Sequence, residues 1–164
     1  MFVVVVICGC ASSTVVTPSE AGPKFAGPCP VTTPSPVAMT PPPPAVTGSN
    51  PGLVFQAGPN EFLYGNDALV VILPNDGMLH PSDPSRGLPG GVKFGWDRIA
   101  HGALAVETKR LDGVTAPQPA EVPSGYGDTG FQPSGLNFAA PGCWQVRGTV
   151  SGKTLLFVSS VAAR

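Results

Sequence analysis

The chain has 164 residues, of which 42% are hydrophobic and 12% charged, with 21 glycines and 21 prolines. That length favours one folded domain with appendages, and the composition is too apolar for general disorder and too rich in Gly and Pro for long helices. Nine basic and ten acidic residues give a formal charge of −1 with no basic patch, so no nucleic-acid partner is expected.

Residues 2–7 read Phe-Val-Val-Val-Val-Ile and run into Cys8, Gly9 and Cys10. The run is too short to span a bilayer, which needs ~20 apolar residues. It resembles the end of a bacterial lipoprotein signal, whose lipobox has an aliphatic residue three before the modified cysteine and a small residue one before it. Ile7, Gly9 and Cys10 fill those places, whereas Cys8 follows a bulky residue and is the poorer candidate. The resemblance implies lipidation of Cys10 by acyl chains such as palmitate, and a membrane partner on the extracytoplasmic side. No Lys or Arg precedes the run, so the natural start is expected further upstream. The alternative is a buried strand opening the domain.

Residues 11–50 are rich in Pro, Thr, Ser and Ala and include the run Pro41 to Pro44. Such a segment lacks the donors and large apolar groups of a packed core and is expected to be a disordered, polyproline-like tether. The division expected is 1–10 signal segment, 11–50 linker and 51–164 folded domain, with 29–50 lying across the domain if Cys29 is clamped.

Strand patterns begin near Leu53. Ala68–Leu73 is a continuous apolar run that stops at Pro74-Asn75-Asp76-Gly77, a sequence with turn chemistry. Val92, Phe94 and Trp96 alternate onto one face. Gly102–Leu111 sets Leu104 and Val106 against Ala105, Glu107 and Lys109, then stops at Asp112-Gly113. Ala116–Pro123 is too proline-rich for a central strand and reads as edge or loop. Ser134–Phe138 is a further short strand. The clearest element is a hairpin, Cys143–Val150 and Thr154–Val161 about a turn at Ser151-Gly152-Lys153. In it Trp144, Val146 and Val150 share one face, and Cys143, Gln145, Arg147 and Thr149 the other. About seven short strands without helical periodicity predict an all-β, immunoglobulin-like, two-sheet antiparallel sandwich.

The cysteines, at 8, 10, 29 and 143, form no CxxC pair and no zinc spacing. After signal cleavage at Cys10, Cys29 is the only other cysteine left for Cys143. Either the two form a disulfide, natural for an exported protein, or both are free thiols.

The segments Tyr126-Gly127-Asp128-Thr129-Gly130-Phe131-Gln132-Pro133-Ser134-Gly135-Leu136 and Pro141-Gly142-Cys143-Trp144-Gln145-Val146 resemble an uncharacterised family of exported proteins and lipoproteins from actinobacteria and related bacteria. Lys109 to Gly113, Tyr64 to Leu69 and Cys29 to Thr32 match more loosely. The resemblance implies an Ig-like envelope domain over about 29–164 and pairing of Cys29 with Cys143. It transfers no catalytic residue.

Tests for chemistry lead to the same place. Val150-Ser151-Gly152-Lys153-Thr154 fails as a phosphate loop, because three residues separate Gly148 from Gly152 where four are needed. Only His80 and His101 offer histidine bases, and there is no Gly-x-Ser-x-Gly elbow, so Ser124 and Ser134 read as turn residues and no enzyme is expected. Met78, His80 and His101 are weak candidates for a copper-type site; no cofactor is expected. The loop Gly125–Ser134 is the best binding candidate, since Tyr126, Asp128, Phe131 and Gln132 combine aromatic rings with short polar groups. The structural alternative is that Tyr126 or Phe131 plugs the sandwich end. Two functions follow: a non-enzymatic module contacting other envelope proteins, or a small-ligand or metal-binding lipoprotein.

Overall fold

A computed structural model describes residues 27–34, 57–81 and 91–163. Cys10, the signal segment and most of the expected tether therefore lie outside the described residues, as does the start near Leu53. The described residues form nine strands and no helix: β1 (Glu61–Gly65), β2 (Leu69–Pro74), β3 (Met78–Leu79), β4 (Gly91–Arg98), β5 (Ala105–Arg110), β6 (Gln118–Pro119), β7 (Gly130–Asn137), β8 (Gly142–Val150) and β9 (Lys153–Val161). They make two sheets, ordered β1-β2-β4-β7 and β3-β9-β8-β5-β6.

The all-β sandwich expected from the sequence is present, with β4–β7 and β9–β8–β5 standing as the B–E and G–F–C strands of an immunoglobulin-like fold do. The first sheet is antiparallel throughout; the second contains one parallel pair, β3 with β9. That pair arises because the chain changes sheets at the turn after Pro74, where Gly77 has φ 66° and the Met78 N–H donates to Asp76 Oδ1. The hairpin register is as its alternation demands, Trp144 opposite Ser159 and Val150 opposite Lys153. Its two turn residues, Ser151 (φ 47°) and Gly152 (φ 77°), both take the left-handed conformation of a type I′ turn.

Three strands differ from the expectation, the two-residue β3 among them. β1 was not legible as a strand. β7 starts at Gly130, so Phe131 and Gln132 belong to a strand and not to a loop. Pro133 is tolerated there because β7 is the last strand of its sheet. Gly135, two residues on, exchanges both backbone bonds with Glu121 on the side away from β4, so Pro133 lacks its N–H on that same outer side.

The inward faces bury Leu69, Val71, Leu73, Phe94, Trp96, Leu136, Trp144, Val146 and Phe157. The rings of Phe94, Trp96 and Phe157 lie 5.5–6.3 Å apart, and both indole N–H groups are satisfied, by Ser134 Oγ at 2.9 Å and by the Ala140 carbonyl at 3.1 Å. Trp96 from one sheet lies against the backbone of Gly148 in the other. A Cβ on Gly148 would come within 2.6 Å of the indole and 2.7 Å of Leu69.

Cys29 is bonded to Cys143, with Cα atoms 5.4 Å apart. Cys143 faces away from the core but is buried, with residues 27–34 forming a strap that ends on the edge of β9. The Thr32 N–H donates to the Val158 carbonyl and the Val158 N–H to Thr32 Oγ1, at 2.8 and 2.9 Å. Val31 fills the space where a Cβ on Gly77 would stand. Asp112 holds the Cys143 N–H from the other side at 3.0 Å.

Two outcomes are expected. Gly148→Ala forces a methyl into the Trp96 contact and lowers unfolding free energy by about 1–3 kcal/mol, measured by denaturant titration. Reduction of the disulfide, which closes a separation of 114 residues, lowers it by about 2–5 kcal/mol. Unchanged midpoints would contradict the tight contact and the strap respectively.

Candidate functional site

One end of the sandwich carries the Ser151-Gly152 turn, the end of β4 and the start of β7. The other end carries the disulfide, since Cys143 lies opposite Ser160 at the far end of β8 and β9. The candidate loop is at the turn end.

Alternation on β4 directs Phe94, Trp96 and Arg98 inward, so Arg98 caps the core at this end. It is 3% exposed. Its Nη1 donates to the Gly102 carbonyl at 2.8 Å, and its Nη2 donates to the Gly127 carbonyl and, at 3.5 Å, to that of Thr129. Burial draws its pKa down, while Asp128 and Asp97 hold it up. The Gly102 N–H donates to the Asp128 carbonyl at 3.0 Å, and Ser151 Oγ donates to the His101 carbonyl. Three loops are thus tied together around one guanidinium.

Between these loops lies an open cleft of about 550 Å³, lined by Arg98, Gly102–Leu104, Val122–Asp128 and Gln132. Gln132 faces inward from β7 and is 7% exposed; its Nε2 donates to the Pro123 carbonyl at 3.0 Å, while its Oε1 has no partner. Arg98 Nε is likewise without a partner. His101 Nδ1 and Asp128 Oδ2 are 2.8 Å apart, both well exposed. A pair so exposed adds little stability.

Tyr126, Asp128 and Gln132 are therefore brought together on one cleft. Phe131 is not: it faces the outer side of β7, where its ring supports Tyr126 edge-on at 6.2 Å. Neither ring plugs the sandwich, and Tyr126 stays 41% exposed. The metal candidates are also divided. Met78 pairs with Ser160 on β3, and His80 follows it, whereas His101 is at the turn end, ~25 Å away along β9. Among the described residues no three His, Cys, Asp or Glu side chains cluster as metal ligands. Sequence reasoning missed Arg98, although its spacing of two from Trp96 puts it on the inward face.

Asp97, on the opposite face of β4, is fully buried with both oxygens unpartnered. Burial raises its pKa, and the neighbouring Arg98 opposes this only in part. The folded state thus takes up the proton before the unfolded state does. Stability is lost as pH rises from the ordinary carboxylate pKa through the raised one. Asp97→Asn is expected to raise stability at neutral pH by about 1–3 kcal/mol, a gain that fades as the solution is acidified. A gain independent of pH, measured by thermal unfolding, would contradict the buried charge.

No protein-family model matches the chain, and no curated protein matches it. Among solved structures the chain is similar to one described as "a Putative Lipoprotein from Bacillus anthracis". The identity is 16%, the match covers 68% of this chain and 88% of that one, and the TM-score is 0.41.

Proposed function

We propose that this chain is a non-enzymatic lipoprotein of a bacterial cell envelope, held on the extracytoplasmic side by acyl chains on Cys10. In this reading its β-sandwich contacts other envelope components through the turn end. Ile7, Gly9 and Cys10 supply the lipobox resemblance. The observation that carries the reading is the Cys29–Cys143 disulfide. It is chemistry suited to an oxidising, extracytoplasmic compartment. It also fastens the segment that leads from Cys10 to the end of the sandwich opposite the cleft. A polyproline chain the length of residues 11–28 spans ~55 Å, enough to hold the turn end well clear of a membrane. Dual acylation would make the attachment stable where one chain gives only marginal binding.

A second reading, small-ligand binding, is favoured by one feature of the same end. There the half-exposed Tyr126 stands beside Arg98, Asp128 and Gln132 on an open cleft of about 550 Å³.

Intact mass of the protein from bacterial membranes, before and after reduction and alkylation, tests the anchor. The expected species starts at Cys10, carries acyl groups, and has two cysteines that alkylate only after reduction. An unacylated chain would overturn the lipoprotein reading, and thiols that alkylate without reduction would remove its compartment argument.

A further inference from the structure

We infer that the open edge of β1 pairs with the same edge of a second copy of this chain, antiparallel about a twofold axis at Leu63, so that two first sheets join into one. This edge lies on the flank of the sandwich, with β2 and β4 between it and β7. The inference is independent of the lipid anchor and of the turn end.

An exposed edge strand offers unpaired N–H and C=O groups to any other strand, and native sheets block such edges with proline, short strands or a covering segment. The other edges of this sandwich are blocked in those ways. β7 carries Pro133 and is bridged by Glu121 at Gly135. β6 is two residues long and holds Pro119. Along β9 the Thr154 carbonyl accepts from Asn66 Nδ2 at 3.1 Å, Val158 is tied to Thr32, and the Ser160 and Ala162 N–H groups donate to Gly77 and Leu79. β1 has five residues, Glu-Phe-Leu-Tyr-Gly, and no proline. Among the described residues nothing pairs with its outer side except at the Glu61 N–H, which donates to the Gly58 carbonyl of its own entry turn at 3.1 Å.

The ladder fixes which groups are open. The Asn75 N–H donates to the Asn60 carbonyl and the Asn66 N–H to that of Leu69, so the even-numbered residues of β1 bond to β2. Antiparallel alternation then turns the main-chain groups of Leu63 and Gly65 outward. With Leu63 opposite the partner's Leu63, these two residues exchange both of their bonds. In the same register the Gly65 N–H meets the carbonyl of the partner's Glu61, and symmetry repeats that bond. The Gly65 carbonyl is left to water, because the partner's Glu61 N–H is spent on its own turn.

The side chains suit this register and make the edge complementary to itself, which favours a second copy over an unrelated strand. Phe62 and Tyr64 are partly buried on the inner face, edge to face at 6.5 Å. Each falls opposite the other aromatic of the partner, a cross-strand pairing that stabilises sheets. Glu61 is the one charged residue of the strand. It falls opposite the partner's Gly65, so like charges do not meet, and its carboxylate is turned back to accept the Gly58 N–H at 2.8 Å. Leu63, on the outer face, meets the partner's Leu63 at the axis. A five-residue strand makes a small interface, so the dissociation constant is on the order of 0.1 mM.

The test is sedimentation velocity and amide hydrogen exchange of the full chain at about 10 µM and about 1 mM, either side of that constant. A monomer is expected at the lower concentration and a dimer at the higher. The Leu63 and Gly65 amides are expected to exchange more slowly in the dimer, while those of Phe62 and Tyr64, already bonded to β2, are unchanged. Leu63→Lys and Leu63→Glu each set like charges against each other across the axis and are expected to weaken the dimer about tenfold or more. An equimolar mixture of the two variants is expected to restore it. A monomer at the higher concentration would overturn the proposal. So would a dimer whose Leu63 and Gly65 amides gain no protection, or one that each variant forms alone as readily as the parent chain. Should either variant fail to fold, the exchange of the parent chain decides alone.

Discussion

The sandwich is built around one contact between its layers, the indole of Trp96 against the bare backbone of Gly148. A tryptophan is the largest side chain available, and between two sheets about 10 Å apart this indole takes the space that the facing strand leaves bare. Gly148, opposite Leu155 and close to the turn of the longest hairpin, provides that gap. With the indole seated there, its N–H reaches Ser134 on β7 and its ring edge meets Phe94 and Phe157. The register of β4 is thereby set, and with it the positions of Asp97 and Arg98.

Arg98 is the polar counterpart of that contact. It follows Trp96 on the inward face at the point where the core runs out, and a guanidinium is suited to such a place. Its planar fork serves several carbonyls at once while its stem packs along apolar neighbours. The loops around Gly102, Gly127 and Thr129 each give it a carbonyl, so one side chain reaches all the walls of the cleft. Asp97, next in sequence on an internal strand of the sheet, is buried on the other face without a hydrogen-bond partner.

Much of this was legible in the sequence, for identifiable reasons. The β8–β9 hairpin has nine-residue strands with strict alternation and a Ser-Gly turn, so its register admits one solution. β4 was read through Trp96 by the same alternation. β1 has only five residues, and its Phe62 and Tyr64 are half-buried, too weak a pattern to stand out among prolines and glycines. The sequence pattern opens β7 only at Ser134, after Pro133; the position of β7 at the sheet edge is what lets the strand run through that proline. The parallel β3 is two residues long and is fixed by its partner, not by its own pattern. At the site, composition pointed to Tyr126, Asp128 and Gln132. It misplaced Phe131, whose facing depends on where β7 begins. Arg98 went unnoticed because a charged residue after an aromatic strand looks like its solvent-exposed end.

The disulfide has a mechanical consequence. A pull applied to the chain before Cys29 passes through the sulfur bridge directly into Cys143, on a strand hydrogen-bonded on both sides, to β5 and to β9. Residues 30–142 lie outside that force path, so β1, β2 and β3 are never peeled from the N-terminal side as they would be in an unbridged chain. The load falls instead on the ladders that β8 makes with β9 and β5. A domain joined to its surroundings in this way can be tugged and reoriented without its turn-end loops feeling the strain.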